Sequence, residues 1–109
     1  MSGYAAAPGT RVLAIDDDPS MRGLIEHMLK AAGYQVEVAA DGGEGLAKIR
    51  ALRPDLVICD IQMPVRDGFE VLDAVRGDAA TATLPFVLLT ALTDREAVRR
   101  GMRGKDSGQ

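Results

Sequence analysis

The sequence predicts an α/β fold, a doubly wound parallel sheet with helices on both faces. Three observations predict it. Short apolar runs alternate along the chain with longer segments whose apolar residues recur at helical spacing. The runs Val12 to Ile15, Leu56 to Cys59 and Phe86 to Leu89 are apolar on successive residues, as in strands buried on both faces. Polar side chains follow three of the runs immediately. Strand and helix in alternation imply right-handed crossovers and a parallel sheet.

The first strand, Val12 to Ile15, runs into Asp16-Asp17-Asp18-Pro19. Proline is tolerated in a first helical turn, and Asp18 can cap that turn. Met21, Leu24, Ile25, Met28 and Leu29 then form one apolar helix face, expected to be core, with Gly33 as the stop. His27 beside that face is expected at the surface or its boundary. Gln35 to Ala39 alternates, with Val36 and Val38 on one side, and reads as a more exposed strand. Asp41 and Glu44 form a capping-box pair for a second helix, whose first turn Gly42, Gly43 and Gly45 should weaken. That glycine cluster lacks the spacing of a dinucleotide fingerprint. Leu46, Ile49 and Leu52 mark the second helix's face, and Pro54 ends it.

Leu56 to Cys59 is the third strand, ending at Asp60; Cys59 should point into the core. Ile61 to Gly68 is a loop, and Phe69, Leu72 and Val75 mark a short third helix closed by Gly77. A loop over Asp78 to Leu84 leads to the fourth strand, Phe86 to Leu89, which ends at Thr90. Thr93 and Glu96 open a fourth helix through about Arg103, with Arg95, Arg99, Arg100 and Arg103 on a solvated face. The expected organisation is a flexible lead-in over residues 1–10, one domain over 11–103 and a tail over 104–109.

Bulk properties narrow the function. A chain of 109 residues is one domain's worth. Its net charge of -3 argues against non-specific nucleic-acid binding. The single cysteine allows no internal disulfide and fits a reducing cytoplasm. No apolar run approaches the roughly 20 residues of a membrane helix, and the N-terminus carries no signal-peptide pattern.

Ligand sites in open parallel sheets lie beyond the carboxyl ends of the strands. There the fold would gather Asp16, Asp17, Asp60 and Thr90. Three adjacent carboxylates repel, and a hard divalent cation removes the conflict. Oxygen-only donors favour Mg2+ over zinc or copper. A carboxylate beside such an ion can act as an aspartyl nucleophile on a phosphoryl group.

The sequence resembles the receiver domain of bacterial two-component response regulators. The matching pieces are Val12-Leu13-Ala14-Ile15-Asp16-Asp17-Asp18-Pro19, then Asp55-Leu56-Val57-Ile58-Cys59-Asp60-Ile61-Gln62-Met63-Pro64, then Asp67-Gly68, then Pro85-Phe86-Val87-Leu88-Leu89-Thr90-Ala91. The resemblance implies a flavodoxin-like fold with strand order 2-1-3-4 and the fifth strand missing or incomplete. It implies that Asp60 is the phosphoacceptor. Asp17 would be a direct Mg2+ ligand, Asp16 a helper, and Gln62 a ligand through its backbone carbonyl. Thr90 would bind a phosphoryl oxygen and act as the switch, beside the small Ala91. The implied donor is a sensor histidine kinase or phosphotransfer protein, and the implied role is signalling, not turnover.

The family's fifth strand, its lysine and its fifth helix have no counterpart before Gln109, and Lys105 is read as an ordinary tail residue. Apolar surface of the first and third strands should then lie open. A second copy covering it, by dimerisation or element exchange, and a shortened chain are both open accounts. An alternative function is a degenerate or truncated receiver serving only as an interaction or dimerisation module. A phosphatase of the haloacid-dehalogenase type is disfavoured, because its second aspartate position holds Gln62 and no cap domain is present.

Overall fold

The computed structural model describes residues 9–89. Within them the order is β1 (Arg11–Ile15), α1 (Pro19–Ala31), β2 (Gln35–Ala39), α2 (Gly42–Leu52), β3 (Leu56–Asp60), α3 (Gly68–Arg76) and β4 (Phe86–Leu89). The four strands form one parallel sheet in the order β2-β1-β3-β4. The fourth helix read from the sequence lies outside the described residues, as do Thr90, Ala91 and Lys105.

The core explains the apolar runs. Leu13, Ile15, Val57 and Cys59 alternate inward from β1 and β3 onto Leu46 and Ile49 of α2 and Val71 and Val75 of α3. All eight are buried. Their neighbours Val12, Ala14 and Val36 are buried too, but outside that cluster, on the face that α1 covers.

Helix ends follow the sequence signals. Asp18 caps α1 by accepting from the Ser20 N–H at 3.1 Å, with Pro19 in the first turn. Asp41 caps α2 by accepting from the Glu44 N–H at 2.8 Å. Glu44 answers to the N–H of Ala40 rather than that of Asp41, so the predicted reciprocal box is shifted by one residue. The glycines at the start of α2 do not dissolve the turn, and at Gly42 and Gly45 the close packing leaves no room for a side chain. A methyl group on Gly45 would lie 2.5 Å from Cδ1 of Ile15.

Two expectations need correction. The α1 stripe is not core: α1 has no buried residue, and Leu24 and Met28 are 50% and 58% exposed. Among the described elements the helix packs chiefly on β2 and β1, which leaves part of its stripe uncovered by them. The open sheet surface includes β3, as expected, but not β1. β1 is central, and α1 buries Val12 and Ala14. The open surface lies on half-buried Leu56 and Ile58 of β3 and extends to exposed Val87 of β4.

Candidate functional site

The register of β1 and β3 builds the site. Ile15 pairs with Cys59, so the next residues, Asp16 and Asp60, end abreast at the carboxyl edge of neighbouring central strands. Asp17 follows in the turn to α1. One carboxylate oxygen from each of Asp16, Asp17 and Asp60 can be chosen so that all lie within 4.8 Å of one another. Asp16 is 2% exposed and Asp60 8%, while Asp17 faces solvent.

Main-chain N–H groups lie against each buried carboxylate. Oδ1 of Asp16 accepts from the Asp18 N–H at 2.9 Å. The N–H groups of Gln62 and Ile61 lie beside the Asp60 carboxylate and favour its ionised form. At both residues burial outweighs this effect. Burial, with the charges of Asp60 and Asp17 nearby, raises the pKa of Asp16 above the ordinary carboxylate value. Burial raises Asp60 likewise, with the Asp17 charge adding to it. Among the described residues no cation offsets the charge of this acidic pocket.

That donor set fits a hard divalent cation: oxygen donors only, three close carboxylates, two of them resisting ionisation. Asp18 is a cap and does not join the cluster. Cys59 offers no soft ligand either. Its thiol is buried in the core and pushed up to about 12, chiefly by burial.

The loop from β3 to α3 frames the open side. Met63 anchors it in the core. Gly68 closes it: its N–H donates to the Ile61 carbonyl at 2.8 Å, and a methyl group there would lie 2.6 Å from the Asp60 carbonyl oxygen. Asp67 caps α3 in a complete reciprocal box with Glu70, at 2.9 and 2.8 Å. Sequence reading missed this box, although Asp67 and Glu70 stand at the required spacing. It also missed Val65, fully exposed at a positive φ of 69°. It missed Arg22 as well, whose Nη1 donates to the Asp16 carbonyl at 2.8 Å. Gln62 lies on the loop two residues past Asp60, as expected, and its side chain is exposed.

Comparisons with known proteins agree with this arrangement. The DNA-binding dual master transcriptional regulator RpaA of Synechocystis is 42% identical over 98 residues, covering 90% of this chain and 39% of the relative. The DNA-binding response regulator MtrA of Mycolicibacterium smegmatis is 38% identical over 92 residues, covering 84% and 39%. The chain thus spans about two fifths of the length of these curated relatives. Among solved structures, the chemotaxis response regulator CheY4 of Vibrio cholerae superposes with a TM-score of 0.70 at 45% identity, covering 73% of this chain and 67% of its own. The N-terminal domain of a response regulator receiver protein from Methanoculleus marisnigri gives 0.72 at 39% identity, covering 84% and 76%. The model of the response regulator receiver domain matches residues 12–106, and the chain belongs to that family.

Proposed function

We propose that Asp60 accepts a phosphoryl group in a Mg2+-dependent transfer and that the modified domain signals by changing conformation. The observation that carries this reading is the convergence of Asp16, Asp17 and Asp60 at one sheet edge, with their oxygens within 4.8 Å. Receivers of this family are signalling modules that interact with histidine kinases or phosphotransfer proteins. For this chain the donor would be a phosphohistidine of such a partner.

Asp60 stands at a strand end, with the Gln62 and Ile61 N–H groups beside its carboxylate. One of its oxygens attacks phosphorus, a P–O bond forms, the P–N bond to the donor imidazole breaks, and the imidazole leaves with the bond pair. Asp16 and Asp17, with Asp60 and the backbone carbonyl of Gln62, would hold the cation. Mg2+ bound there would offset charge on the transferring phosphoryl oxygens. Thr90 would receive a phosphoryl oxygen as the switch, and Ala91 would leave room for it. The receiver unit would occupy residues 11–103, between the lead-in over 1–10 and the tail over 104–109.

The named DNA binding belongs to relatives much longer than this chain. The net charge of -3 supports assigning no nucleic-acid contact to these residues. No helix among the described residues is long and apolar enough to cross a membrane. We place the chain in the cytoplasm, where its phosphodonor would be. The expected pairing of two copies across exposed apolar surface gains no support from the comparisons. The reduction of an aspartyl phosphate by borohydride to homoserine tests the reading at residue level. After treatment with a small phosphodonor and Mg2+, homoserine should appear at position 60. Its appearance elsewhere, or nowhere, would contradict the assignment.

A further inference from the structure

α1 has no fully buried residue, yet one polar side chain on it turns back to the sheet edge. Arg22 is half-buried, and its Nη1 donates to the carbonyl of Asp16 at 2.8 Å. Asp16 is fixed at two further points. Its N–H donates to the Ala39 carbonyl at 3.1 Å, and its Oδ1 accepts from Asp18 at 2.9 Å. Arg22 itself is seated by its own N–H on the Asp18 carbonyl at 2.8 Å.

The carbonyl that Arg22 holds belongs to the peptide plane joining Asp16 to Asp17. Peptide groups are planar, so the tilt of that plane sets the direction in which the Asp17 chain leaves it. Among the described residues no hydrogen bond holds the Asp17 carboxylate itself, and the side chain is exposed. Its aim toward Asp16 and Asp60 therefore depends on the main chain beneath it. A guanidinium stays charged at any working pH, and its planar donors make it suited to such a clamp.

We infer that Arg22 is a positioning residue for the divalent-cation site, locking the Asp16–Asp17 peptide plane so that the Asp17 carboxylate faces Asp60. The inference rests on the reading of Asp16, Asp17 and Asp60 as the Mg2+ site. Residues that orient metal ligands from behind typically change affinity by about 10- to 100-fold when replaced.

The test is Mg2+ titration by calorimetry into the full chain, with no phosphodonor present. Arg22→Met, which keeps the apolar stem and loses the donors, should weaken binding about tenfold. Arg22→Lys, which keeps one donor group, should restore most of it. Glu26→Ala, which breaks the Glu26–Lys30 ion pair on the same helix, should leave binding unchanged. A purely structural Arg22 would lower the metal-free melting temperature without this pattern in affinity. Wild-type affinity in folded Arg22→Met, or an equal loss in Glu26→Ala, overturns the inference alone. If Arg22→Met does not fold, Arg22→Gln carries the same expectation and the same contradiction, being too short to reach the carbonyl. If the unsubstituted chain binds no Mg2+, or Asp17→Asn binds it equally well, the metal-site reading itself fails and the inference falls with it.

Discussion

Asp60 and Asp16 are the two carboxylates whose burial works against their charge. Both have raised pKa values in the folded chain, chiefly from desolvation. A carboxylate raised by folding binds protons more tightly folded than unfolded. Its stabilising contribution is present at pH below the ordinary carboxylate range and is lost as pH rises through the raised value. Without metal, Asp60→Asn should therefore melt above the unsubstituted chain at pH 7, with the gap closing toward about pH 4. Added Mg2+ should raise the melting temperature of the unsubstituted chain more at pH 7 than at the acid end. Thermal unfolding across pH reads both; a gap that widens on acidification would be the wrong sign. Val65 poses a different residue-scale problem. A β-branched residue at positive φ is strained, and Val65 is fully exposed, so no burial offsets the strain. The N–H of Arg66 reaches the Pro64 carbonyl across it, closing a tight three-residue turn. Val65→Gly should raise stability by up to about 1 kcal/mol, net of the glycine's unfolded-state entropy. A clear loss of stability in urea would show that the turn is not strained. The acidic residues of the site were legible because each stands where an apolar run stops. Val65 and Arg22 were not, since a positive φ and a side chain reaching six residues back leave no periodic trace.

At the scale of elements, strand and helix order was legible from periodicity alone, because each strand is short and apolar and each helix repeats at its own spacing. Tertiary packing decided the rest. The glycines of α2 look like a weak helical turn in sequence, yet Gly45 is where the helix crosses closest to β1. A side chain there cannot be accommodated without moving Ile15, itself 1% exposed. Gly45→Ala should cost about 1–3 kcal/mol through overpacking. Helix propensity alone predicts the opposite sign, a gain of somewhat under about 1 kcal/mol. Chemical denaturation separates the two directly. The misreading of α1 has the same origin. Its apolar stripe announces burial, but burial needs a neighbour on each flank, and periodicity does not say whether one is present.

Across the whole molecule, function follows from strand order. With β1 and β3 adjacent at the centre, the Ile15–Cys59 register sets Asp16 and Asp60 side by side, though they lie far apart in sequence. Nothing in the composition would bring them together; the sequence suggests it only through the rule that sites gather at the carboxyl edge of a parallel sheet. α2 and α3 seal the opposite face into the main core, so the site rests on a rigid base. Half-buried Leu56 and Ile58 of β3 and exposed Val87 of β4 mark their side of the sheet as its least covered part. If the carboxyl edge makes Asp60 a phosphoacceptor, intact mass spectrometry will read the modification. The chain is exposed to a small phosphodonor with Mg2+, with a chelator, and as Asp60→Asn. One phosphoryl adduct is expected with Mg2+, little with chelator and none in the variant. An equal adduct in Asp60→Asn, or no adduct in a folded unsubstituted chain with Mg2+, would contradict the assignment.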